Sequence, residues 1–203
     1  MSRFAITFDY LCPFARIANE IVIRAQEDGG PVHEPVHEVE WRAFSLSQVH
    51  LEEGATPVWE TDPPASGVLA LQWGLAVRDQ FPDRFPAAHL AIFAARHDRG
   101  RDINDPEVVR AAVASAGLDP RAIARVVAEG GPAKALADDH TWGVTEHRVF
   151  GVPTFVAGDR AIFVRLMRRA EDAASARATL ERVLDLVTGW TDLNEFKATR
   201  IPR

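Results

Sequence analysis

From residue 65 to residue 148 the chain carries helical periodicity with no strand pattern inside it, while strand patterns lie on both sides. No other feature constrains the fold as much. Ahead of that block, Phe4, Ile6 and Phe8 belong to a short apolar run that predicts a strand buried on both faces. Asp9-Tyr10-Leu11-Cys12-Pro13 ends it. A helix should begin at once, because Pro13 suits the first helical position, where its missing N–H costs nothing. Ile17, Ile21 and Ala25 then fall four apart on one face, and Gly29-Gly30 is the expected stop. Beyond a loop with Pro31 and Pro35, Val39, Trp41 and Ala43 alternate with Glu38, Glu40 and Arg42 over His37–Phe44, a half-covered strand. Strand, helix, strand favours a parallel βαβ unit.

Residues 45–64 lose periodicity and collect Gly54, Pro57, Pro63 and Pro64, which predicts a loop or linker. Five helices are expected in the block. They cover 66–80, 87–98, a third opened by Asn104 with Glu107 as capping-box partner and closed by Gly117, a fourth from Asp119-Pro120 to Gly130, and a fifth from Pro132 to His147. Strand pattern returns at Thr154–Ala157, and Gly158-Asp159 is a two-residue turn into Arg160–Val164. Leu180, Val183, Leu184 and Val187 mark a last helix, followed by an irregular tail from Gly189 to Arg203. The order β-α-β, helices, β-β-α predicts an α/β fold with an inserted all-α subdomain. On this reading 1–64 and 149–188 form one discontinuous domain, 65–148 the insertion and 189–203 the tail.

Composition narrows the function classes. A single cysteine excludes an intramolecular disulfide, a Cys-x-x-Cys dithiol and a four-cysteine zinc site. A net charge of −6 is a poor match to the phosphate backbone, so no nucleic-acid partner is expected. No apolar run approaches the ~20 residues of a bilayer span, and MSRFAITFDYLCPF lacks the features of a signal peptide. The expectation is a cytoplasmic protein without a membrane partner.

The strongest local chemistry is Cys12-Pro13-Phe14-Ala15 at the strand-to-helix junction. A thiol there faces the unpaired N–H groups of the first turn and the positive end of the helix dipole. Both favour thiolate, the form that attacks disulfides and electrophiles, and the position predicts a lowered pKa. The plain alternative is a small buried apolar residue.

Phe8-Asp9-Tyr10-Leu11-Cys12-Pro13-Phe14-Ala15, taken with Val149-Phe150-Gly151-Val152-Pro153-Thr154-Phe155-Val156, resembles the DsbA-like branch of the thioredoxin superfamily. Within it the chain is most similar to the FrnE-related proteins, kappa-class glutathione transferases and 2-hydroxychromene-2-carboxylate isomerases. The resemblance spans nearly the whole chain and implies a thioredoxin-like fold carrying the helical insertion. It implies Cys12 as the catalytic residue, with Pro13, Phe14, Val152, Pro153 and Thr154 lining the substrate site. It also implies a cis bond before Pro153, which would turn the Val152 backbone toward the thiol and leave its N–H and C=O free for a peptide-like ligand such as a glutathione moiety. Two departures stand out. Ala15 replaces the resolving cysteine of the DsbA motif, and Phe163-Val164-Arg165-Leu166-Met167-Arg168-Arg169 replaces the Trp-Gly-x-Asp-Arg stretch that helps hold glutathione in the transferases and isomerases.

Other residues yield less. His140 and His147 share one helix face but lie ~10 Å apart along it, too far for one ion, and no metal is expected. His33 and His37 sit in a polar loop; His140 or His147 is a candidate for proton transfer near Cys12, against the commoner role of a solvated or capping histidine. Trp41 and Trp73 read as core, and Trp59 and Trp142 as residues of the core or of a cleft wall. Arg99, Arg101, Arg121, Arg125, Arg168 and Arg169 read as solvated surface.

Three readings remain open. The first is a DsbA-like thiol–disulfide oxidoreductase with one cysteine. It would bind no cofactor tightly and use glutathione or another low-molecular-weight thiol as co-substrate, against a small-molecule thiol or a protein disulfide. The second is a kappa-like transferase or an isomerase in which Cys12 stabilises a bound thiol. The third is a non-catalytic thioredoxin-fold binding protein. The apolar helical block also allows a homodimer.

Overall fold

Apolar residues from Phe4 to Phe8 are buried on both faces of the first strand, β1 (Ser2–Phe8), which makes it central in the sheet. In the computed structural model, which describes residues 2–27, 37–192 and 195, β1 pairs in parallel with β2 (His37–Ala43). Helix α1 (Pro13–Gln26) connects them, with Pro13 in its first turn. On its other side β1 runs antiparallel to β3 (Thr154–Ala157), which continues into β4 (Arg160–Phe163), giving the order β2-β1-β3-β4. Gly158 turns the β3–β4 hairpin at φ +61°, the left-handed conformation that glycine adopts without steric cost. Expected features at Gly29-Gly30, Pro31, His33 and Pro35, and most of the tail, lie outside the described residues.

Between β2 and β3 the chain is helical: α2 (Leu46–Val49), α3 (Val68–Gln80), α4 (Phe85–His97), α5 (Pro106–Ser115), α6 (Pro120–Ala128) and α7 (Gly131–His147). Besides shifts of one or two residues at the ends of β2, β4 (Arg160–Phe163), α3 and α4, three details differ from the sequence expectation. The stretch after β2 holds the short α2, capped by the Ser45 hydroxyl, which accepts from the Gln48 N–H at 3.3 Å. Helix α5 is capped by Asp105 and not by Asn104, because Pro106 takes the first helical position and the cap is the residue before it. Asn104 accepts instead from the Gly67 N–H at 2.8 Å, fixing the entry to α3. Finally α8 (Ala173–Gly189) includes Gly189, so the tail begins one residue later than expected; all four residues of its predicted apolar stripe are buried.

Two apolar clusters divide along β1. Phe4 and Ile6 pack with Ile21 and Val22 of α1, Phe155 of β3, and Leu180 and Leu184 of α8. Phe8 belongs to the other, which runs through Phe44 into the helical block at Leu71 and Phe93 and includes Cys12 and Val152. The block therefore shares its core with the C-terminal end of β1. Asp139 of α7 strengthens that junction: it accepts from the Ala43 N–H at 2.9 Å and pairs with Arg42 and Arg78.

Candidate active site

Cys12 stands where β1 hands over to α1. It is the N-cap of the helix, in extended backbone at φ −90° and ψ 117°, and its Sγ accepts from the Ala15 N–H at 3.4 Å. From the far end of the chain, the loop before β3 brings the Val152 carbonyl to 3.3 Å from the same sulfur, as acceptor for the thiol. The Val152–Pro153 bond is cis, as is Asp62–Pro63, which no sequence signal distinguished. Among the described residues the Val152 N–H has no partner. Thr154 is held from both ends: its N–H donates to Thr7 Oγ1 at 2.8 Å, and its hydroxyl donates to the Gly151 carbonyl at 2.8 Å. Thus Thr154 anchors the loop through its own polar groups, while Pro13 is exposed and Phe14 half-buried beside the thiol.

The thiol is harder to ionise than its helix-cap position suggests. Only 8% of Cys12 is exposed, and burial pushes its pKa up from the ordinary value. The Ala15 and Phe14 N–H groups pull it down and the Asp9 carboxylate pushes it up, with Arg165 pulling down more weakly. Desolvation outweighs the helix terminus, and the expected lowering of the Cys12 pKa is reversed.

Asp9 was not singled out by sequence reasoning. It is fully buried and accepts from the Leu11 N–H at 2.9 Å and the Leu46 N–H at 2.7 Å, tying the approach to Cys12 to the start of α2. Burial raises its pKa from 3.8 to about 6, against the pull of those two N–H groups. Arg165 was also passed over, being read only as part of an altered stretch. Its guanidinium lies over the Phe14 ring at 4.5 Å and 5.8 Å from the centre of Phe163. Phe163 in turn meets Phe150, which is 70% exposed, at 5.4 Å. An acid three residues before the cysteine and an arginine two past the last strand were the available signals.

The histidines are placed elsewhere. His140 accepts from the Ser45 N–H at 3.2 Å and stacks on Phe44, with Trp59 beside it. Burial lowers its pKa to about 4, so it is neutral at pH 7. His147 packs on Trp142, whose other neighbour is the Arg42 guanidinium. Neither histidine is a hydrogen-bond partner of Cys12, so the proton-transfer candidacy finds no support and the plainer packing role holds. Trp73 is buried as expected, and Trp41 is half-buried. Arg169 is not simply solvated, because it pairs at 2.7 Å with the buried Glu20, which also binds Arg16 and Arg24. A groove of 390 Å³ beside that cluster is not lined by Cys12. Among the described residues no three His, Cys, Asp or Glu side chains stand together as a metal site would need.

A model of the DSBA-like thioredoxin domain matches residues 5–173. No curated protein matches the sequence. Solved structures share the fold. A "probable DsbA oxidoreductase" from Streptomyces coelicolor is 18% identical over 98% of this chain and 94% of its own, with a TM-score of 0.61. The cytosolic disulfide reductase DsbM from Pseudomonas aeruginosa, solved with GSH, is 20% identical over 91% of this chain and 100% of its own, at 0.60. A 2-hydroxychromene-2-carboxylate isomerase is 16% identical over 91% and 97%, at 0.59.

Proposed function

Because the chain belongs to the DSBA-like thioredoxin domain family, we propose that it is a thiol–disulfide oxidoreductase working through one cysteine, Cys12. Glutathione or another low-molecular-weight thiol is its co-substrate. The observation that carries this reading is the position of the Cys12 sulfur between the Ala15 N–H and the Val152 carbonyl. An incoming disulfide meets a sulfur whose anion the helix terminus stabilises, beside a backbone N–H free to pair with it. Cys12 thiolate attacks one sulfur of the substrate; an Sγ–S bond forms, the substrate S–S bond breaks, and the departing thiolate takes up a proton. An external thiolate then attacks the mixed disulfide and returns Cys12. One S–S bond is exchanged for another, so electrons balance without a further reductant. Pro13 and Phe14 flank the incoming group, Val152 and Pro153 form the opposite wall, and Thr154 fixes that wall. The cytoplasm, where thiols are kept reduced, suits this cycle; DsbM is a cytosolic reductase.

A second reading is favoured by the raised Cys12 pKa and by the thiol's donation to Val152. A thiol that stays protonated can act as a hydrogen-bond donor to a bound thiolate, the role a transferase or isomerase requires. Cys12→Ser separates the two. Glutathione-dependent reduction of a small disulfide should disappear in that variant if Cys12 is the nucleophile. Full retention of glutathione transfer to a chloronitroaromatic acceptor by Cys12→Ser supports the second reading instead.

A further inference from the structure

The Arg165 guanidinium sits over the ring of Phe14, two residues past Cys12, within electrostatic reach of the sulfur. Arg165 follows Val164, whose N–H donates to the Pro153 carbonyl at 3.0 Å, so its backbone is pinned to the loop opposite the thiol. Its guanidinium reaches across to the Phe14 ring, two residues past Cys12. Arg165 thus bridges the two segments that flank the sulfur. Stacking on an aromatic face occupies the plane of a guanidinium and leaves its N–H edge free. Among the described residues that edge has no acidic partner, unlike the edge of Arg169, which is spent on Glu20. Phe163 and the exposed Phe150 extend an apolar wall from the same point. An apolar wall ending in an unpaired, forked cation fits a short aliphatic chain ending in a carboxylate.

We propose that Arg165 determines substrate class at the Cys12 site, selecting low-molecular-weight disulfides that carry a carboxylate over neutral and cationic ones. This rests on the single-cysteine exchange reading. In the selected reaction the Cys12 thiolate attacks one sulfur of the acid disulfide while Arg165 holds its carboxylate. The Sγ–S bond forms, the S–S bond breaks, and the free thiol acid leaves with the proton. Arg165 is exposed, so the pairing is screened by solvent and its effect is modest.

The test measures mixed-disulfide formation at Cys12 by intact mass with three probes of similar size: dithiodipropionate, hydroxyethyl disulfide and cystamine. Each rate is divided by that of an unstructured cysteine peptide, so intrinsic reactivity cancels. The wild type should prefer the anionic probe over the neutral one by about two- to five-fold. Arg165→Ala should abolish that preference, and Arg165→Glu should place cystamine ahead. Any change in thiolate fraction scales all three rates alike and leaves the ratios intact. A second readout needs no disulfide: the ratio of iodoacetate to iodoacetamide alkylation at Cys12 should fall in the same order across the three proteins. If no disulfide reacts but this ratio falls as stated, the exchange reading fails while Arg165 still selects anions. If disulfides react without charge preference, or Arg165→Ala keeps the wild-type ratio, the role of Arg165 is overturned and exchange stands.

Discussion

The Cys12 thiol donates to the Val152 carbonyl at 3.3 Å, joining the cap of α1 to the loop before β3 across 140 positions of sequence. Burial is the main influence on the state of the nucleophile, and the contact agrees with it. A thiol needs its proton to make it, and burial favours the same neutral form. The helix terminus, through the Ala15 N–H, favours the anion and is outweighed.

The pH dependence of alkylation follows. Reaction of Cys12 with iodoacetamide should have its midpoint above that of an unstructured cysteine peptide. Asp9→Asn should lower the midpoint by removing a negative charge from the neighbourhood, and Arg165→Ala should raise it by removing a positive one. A wild-type midpoint at or below the peptide's contradicts this balance.

Thr7→Val should loosen the loop that carries Val152. Both Thr7 and Thr154 are buried, and the Thr154 N–H has Thr7 Oγ1 as its acceptor at 2.8 Å. Valine keeps the shape and removes the acceptor, stranding a buried donor at a cost of about 1–3 kcal/mol. Denaturant titration should register that loss, and Thr7→Ser should recover most of it. Unchanged stability in Thr7→Val refutes the anchoring role.

Acid should destabilise the protein before any carboxylate pair is broken. His89 is fully buried between Tyr10 and Asn19, with its pKa lowered to about 3, and His140 is lowered to about 4. Unfolded histidines take up protons near pH 6.5, so both groups support the fold above that pH and lose their contribution as pH falls toward their folded values. At pH 4.5 the two together cost about 5 kcal/mol relative to pH 7. Asp9 runs the other way: raised to about 6, it takes up its proton more readily in the folded state and returns about 2 kcal/mol over the same interval. These three groups together predict a loss of about 3 kcal/mol between pH 7 and pH 4.5 in denaturation measurements, and the lowered pKa values of His37 and His97 act in the same direction. Equal or greater stability at pH 4.5 contradicts it.

Gly74→Ala in α3 should destabilise even though alanine is the better helix former by about 1 kcal/mol. A Cβ at Gly74 overlaps the Tyr10 hydroxyl, which is hydrogen-bonded to His89 at 2.8 Å. Overpacking of this kind costs about 1–3 kcal/mol and displaces the Tyr10–His89 pair. A raised melting temperature in Gly74→Ala rules out the overlap.

Local signals carried much of the fold. Pro13 at a helix start, the β3–β4 turn at Gly158 and the α8 stripe each depend on residues close in sequence, and each appears where expected. The tertiary neighbours of Cys12 do not depend on local signals. Nothing near Cys12 in the chain says that it is buried or that Asp9 is dehydrated beside it, so the local dipole argument gave the wrong sign. Arg165 likewise reads as one arginine among 21 until Val164 is seen bound to Pro153 and Phe14 beneath the guanidinium. His89 escaped notice because a histidine on an apolar helix face carries no mark of the Tyr10 and Asn19 that satisfy it.

The central claim is exchange through one thiol, and the lifetime of its mixed disulfide tests it most directly. Wild type loaded with oxidised glutathione should gain one adduct by intact mass and keep it when no thiol is added, because Ala15 offers no resolving thiolate. Ala15→Cys restores the Cys-Pro-Phe-Cys spacing and should shed the adduct rapidly by an intramolecular step. Absence of the adduct in the wild type, or its loss as fast as in Ala15→Cys, contradicts the claim.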